Sequence, residues 1–132
     1  MKTVLTTLLC LVALTIPVAT QEGGFTRFDR VMLSAQSVDE TTSAGFPVNE
    51  NVAIVLFVET NGTVSSGQVI LEEANSSDYS GTWSIVATVN PTVSNAVTAV
   101  HQRGAWRSLR VRINTVIGGG GTITATLVGR PE

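Results

Sequence analysis

The feature that most limits the fold is a strict two-residue alternation near the C-terminal end. Ser108-Leu109-Arg110-Val111-Arg112-Ile113-Asn114 alternates without error, with Leu109, Val111 and Ile113 on one side and Arg110 and Arg112 on the other. Successive side chains of a strand point to opposite faces, so this period is that of a half-buried strand, not of a helix. Thr122–Leu127 repeats it, with Ile123, Ala125 and Leu127 against three threonines. Trp83, Ile85, Ala87 and Val89 form a third such row, which assigns Trp83 to the core, and Gln68–Glu73 a shorter fourth, with Val69 and Leu71 on one face.

Val52–Val58, VAIVLFV, is apolar throughout and rich in β-branched residues. Seven residues are too few for a typical helix, and the run reads as a central strand covered on both faces. Phe25–Ser34 reads as an opening strand, while Asn95–Gln102 suits a strand or one helical turn. The punctuation is that of a strand protein. Asn61-Gly62 is a tight-hairpin signal, because both residues tolerate positive φ. Ala74–Gly81 is a polar loop, Pro91 ends a strand, and Gly118–Gly121 reads as a hairpin turn with a mobile tip. The expected fold is therefore all-β: an antiparallel β-sandwich of about seven or eight strands, of jelly-roll or Greek-key type. With a single cysteine in the chain, the paired-cysteine immunoglobulin pattern is absent.

Residues 1–20 are a separate object. Met1 and Lys2 precede an uncharged, mainly apolar stretch to Thr20 that contains Pro17 and Cys10, the only cysteine. A basic start, an apolar stretch and a polar break form the layout of a secretory signal peptide. An uncleaved anchor, which would bring a membrane partner, and an apolar arm packed on another subunit are the other readings. Residues 21–132 form the expected single domain, with arginine as its only cationic residue apart from His101.

Chemical tools are few. One cysteine and one histidine exclude a multi-histidine or cysteine-based metal site, and no cofactor is expected. His101 has no nucleophile-elbow motif in the sequence to serve. Glu72-Glu73 and Asp39-Glu40 are adjacent carboxylates, which strand alternation sends to opposite faces, so a solvated edge is expected for them rather than a glycosidase pair. Asp78 lacks the acidic ladder of a calcium loop, and Gly118–Gly121 lacks the Lys-Ser/Thr ending of a phosphate loop. Asn61-Gly62-Thr63 and Asn75-Ser76-Ser77 have the form of N-glycosylation acceptors. The expectation is a protein that is not an enzyme.

Charge is polarised. Residues 21–100 hold nine acidic residues and two arginines; residues 101–132 hold five arginines and one acid. Arg103, Arg107, Arg110 and Arg112 cluster with Trp106 and His101, and with an exposed Trp106 they are the interface candidates, for association in which basic and acidic faces meet. The alternative is that Arg110 and Arg112 only solvate a sheet face. A net charge of −2 with one basic stretch gives no expectation of a direct nucleic-acid role.

GQVILEEANSSDYSGTWSIVATVN at 67–90, followed by RSLRVRINTVIGGGGTITATLVG at 107–129, resembles small β-sandwich structural proteins of tailed phage virions, head decoration and tail-associated proteins among them. The shared pattern is a strand ending in a Leu-Glu pair, a polar loop, a Trp strand, an Arg-rich strand, a glycine turn and a final Thr/Val strand. The resemblance implies a non-enzymatic virion subunit that self-associates and binds other virion proteins on a capsid or tail lattice. The alternative is a secreted or cell-surface sandwich that binds carbohydrate or protein, with Tyr79, Trp83 and Trp106 as contact aromatics.

Overall fold

The computed structural model describes residues 27–131. The signal-like segment 1–20 and Cys10 lie outside the described residues. Every described strand pairs antiparallel. They are β1 (Phe28–Gln36), β2 (Phe46–Asn61), β3 (Ser66–Ala74), β4 (Ser84–Val89), β5 (Val97–Gly118) and β6 (Thr122–Pro131), in the sheet order β1-β6-β2-β5-β3-β4. The all-β antiparallel expectation holds. β5 joins Asn95–Gln102 and Ser108–Asn114, because Gly104, the one turn-type residue between them, is held in the ladder opposite Val52. The segment 37–43 adds a further ladder along β5: Ile113 N–H donates to Thr41 O at 2.9 Å and Ser43 N–H to Val111 O at 2.9 Å.

β5 carries the architecture. Val97–Leu109 pairs with β2, and Ser108–Gly118 pairs with β3. The inward parity changes between these halves: Trp106 and Ser108 are buried, then Leu109, Val111 and Ile113. β2 accommodates the change with a register shift between Pro47 and Glu50, where a bulge bends and twists the ladder. The sheet thus folds over, and one apolar cluster draws from all six strands, among them Leu33, Leu56, Leu71, Ala87, Val111 and Leu127. This is the sandwich core. In β2 alone Val52, Ile54, Leu56 and Val58 are essentially fully buried, and each contributes about 1.5–3 kcal/mol of transfer free energy.

Two turn expectations and one strand row change. Asn61-Gly62 is not a hairpin, because β2 and β3 both pair with β5 rather than with each other. Only Gly62 takes positive φ there, at 77°. Gly118–Gly121 is likewise an arch between unpaired strands, and it is pinned rather than loose: Ser65 N–H donates to Gly118 O at 3.0 Å, and Gly121 N–H to Thr63 O at 2.8 Å. In β4 a register shift opposite Leu71/Glu72 breaks the expected row, leaving Ile85 62% exposed while Ala87 and Val89 stay inside.

Candidate association surface

The structure divides the arginine cluster. Trp106 is a correction: it is buried, and its indole N–H donates to Val52 O at 3.1 Å. It stands on the inward row of β5, and an indole so placed needs a polar partner, which β2 supplies. Arg103 and Arg107 lie on the exposed row. Arg110 and Arg112 stand opposite Glu72 and Ile70 of β3, and both side chains reach Glu72.

Glu72 is the second correction. Its side chain is 3% exposed, not at a solvated edge. Arg110 Nε donates to its Oε2 at 2.7 Å, and Arg112 Nη2 to its Oε1 at 3.0 Å. Arg112 also holds Glu40 at 3.0 Å, and the Arg110 guanidinium lies 4.4 Å over the Trp83 ring. Trp83 itself is buried, as expected, and donates from Nε1 to Tyr79 O at 2.9 Å. The hydrogen bond to Glu72 raises the Arg112 pKa above the usual range; burial opposes this, while the charges of Glu72 and Glu40 add to it. Two arginines and two carboxylates satisfy one another, so this set closes one face of the sandwich instead of offering free charge. The missed signal is local: Val69-Ile70-Leu71-Glu72 does not alternate, and an acid inside such a run is best stabilised by a cation across the ladder.

The opposite face, formed by β1, β6, β2 and the first half of β5, is built differently. Cross-strand register sets its rows: Phe57 between Ala99 and Thr126, with Val31 beyond Thr126, and Val55 between His101 and Val128, with Asp29 beyond Val128. Val31 is 56% exposed and Val97 61%, while Ala53, Val55 and Phe57 are half-buried. The expectation that the VAIVLFV run is covered on both faces is thus met on only one. Arg103 and Arg130 flank Ala53 at one end of the face, and Glu59 lies between Val97 and Thr124 at the other. His101 occupies this exposed face, opposite Val55.

A cleft of about 370 Å³ opens where β3 leaves β5, lined by Glu73, Asn75, Tyr79, Thr82, Ser84 and Arg107 with two alanines. It is polar and shallow, and the 44% exposed Tyr79 stands at its side. Among the described residues no group of three or more His, Cys, Asp or Glu could hold a metal ion.

No family model and no curated protein matches the chain. Among solved structures it is similar to the crystal structure of the SPBc2 prophage-derived protein YomS, at 12% identity and a TM-score of 0.51, over 80% of this chain and 94% of that one. At that identity the likeness is one of fold.

Proposed function

We propose that the chain is a non-enzymatic structural subunit of a tailed-phage virion, assembling with copies of itself and other virion proteins on a capsid or tail lattice. The observation that carries this reading is the fold shared along nearly the whole of a small prophage-derived protein. The partly uncovered apolar face of β1, β6, β2 and β5 supports it, because a subunit of a lattice needs a surface to spend on neighbours. Mass spectrometry of purified particles from the phage or induced prophage that encodes the chain is the test. The chain is expected at the copy number of a lattice component; its absence from intact particles would end the reading.

The cleft beside Tyr79 favours a second reading, a surface module that binds a neutral saccharide. Its lining offers donors and acceptors of both kinds and a partly exposed ring. Chemical-shift titration with neutral hexose oligomers is expected to move the signals of Tyr79 and Asn75 under this reading, and unmoved signals would remove it.

A further inference from the structure

The outer face of β1-β6-β2-β5 combines an apolar centre on β2 and β6, bordered by His101 on β5 and Asp29 on β1, with charge of opposite sign at its two ends. Along β2, the row of Ala53 carries Arg103 and Arg130, and the row of Glu59 carries the acid. Six residues separate these rows, about 20 Å at 3.3–3.4 Å per residue. Their midpoint is Leu56, which pairs with Leu127 and points inward, so its outward neighbours Val55 and Phe57 occupy the centre. Arg130 and Glu59 are both exposed, and among the described residues neither has an ion-pair partner.

This arrangement is complementary to itself. A two-fold axis lying between two such faces, and running across the strands, maps the basic end of one copy onto the acidic end of the other. It also sets Phe57 and Val55 against their counterparts near the axis. Sheets that pack this way lie about 10 Å apart with their strands roughly aligned. The occupant of the face is therefore a second copy of this chain, in an isologous contact. We infer that the protein forms a face-to-face dimer through Phe57 and Val55, closed at both ends by Arg130 of one copy and Glu59 of the other.

The size of the face sets the strength. Four strands about 4.8 Å apart and seven residues along each give roughly 400 Å² of projected face per copy. That is about half of the roughly 800 Å² per partner of a standard interface, so the free dimer is weak and transient, and a lattice that raises local concentration is what populates it. The inference names a partner for the proposed subunit but does not require a virion, since it is read in solution.

The experiment is sedimentation equilibrium of the full chain and its variants over a concentration series. Glu59→Arg and Arg130→Glu are each expected to weaken self-association by about tenfold, through like charges placed at both ends of the contact. The double variant, Glu59→Arg with Arg130→Glu, is expected to recover most of the loss. Phe57→Asp is expected to give monomer, with circular dichroism confirming that the fold is kept. A monomeric parent chain at every concentration, or single variants that associate as the parent does, would overturn the inference. So would a double variant no better than the singles. A parent chain that forms no dimer yet is present in particles would overturn this contact alone; a dimer in a chain absent from particles would overturn only the virion reading.

Discussion

At the scale of single residues, Glu72 is the charged side chain that the described fold buries, beside the neutral Thr60 and Ser108. Removing one partner of a buried ion pair leaves the other charges desolvated and unmatched, which costs several kcal/mol when all are fully buried. Arg110 and Arg112 retain 24% and 19% side-chain exposure, so water relieves part of that cost. Glu72→Gln is accordingly expected to lower unfolding free energy by about 2–3 kcal/mol in urea titrations at neutral pH, with the native fold retained. The Arg112 contribution has a definite sign with pH. Its pKa is raised in the folded chain, so the stabilisation is fully present below the ordinary arginine range and is lost only as pH climbs through the raised value. Its share is therefore flat over roughly pH 6 to 9. Arginine in an alternating strand reads from sequence as a solvated side chain, and the sequence alone does not say which carboxylate lies across the ladder. That is why Arg110 and Arg112 read as free and Glu72 as exposed.

At the scale of elements, the strands of strict alternation, Leu109–Ile113 and Ile123–Leu127, keep in the structure the inward faces that their sequence states. Connections were less legible, because a turn motif reports local φ and not which strands pair. The glycine arch is the clearest case. An added Cβ at Gly121 would lie 2.6 Å from Thr63 O and 2.7 Å from Asn61 O, both backbone atoms that cannot swing aside, whereas one at Gly120 meets nothing within 4 Å. Gly121→Ala is expected to cost about 1–3 kcal/mol by overpacking. Gly120→Asn, at a φ of 83° that Asn tolerates, is expected to stay within about 0.5 kcal/mol. Thermal unfolding of the two variants side by side checks the contrast. The parity change within β5 and the bulge in β4 were likewise illegible, since each depends on the register of a distant partner. Trp106 turned inward for the same reason: its row belongs to the pairing with β2, out of phase with Leu109.

At the scale of the whole molecule, the charge asymmetry visible along the sequence is redistributed by the fold. Part of the basic segment 101–132 is neutralised inside the Glu72 cluster, and part is set about 20 Å along the sheet from Glu59. The sheet order has one more consequence, which concerns the making of the protein. Among the described strands, β3 and β4 are the only pair adjacent in sequence that also pair in the sheet. β6, the last described strand to leave the ribosome, is the one that fits between β1 and β2. The first two strands therefore wait for residues 122–131 before either gains its ladder partner on that side. Among the described strands the β2-β5-β3-β4 ladders can form first, whereas β1 pairs with β6 alone and stays open until residues 122–131 emerge. Such late, long-range closure is slow by nature, and it leaves a growing chain available to whatever machinery meets it before it can fold.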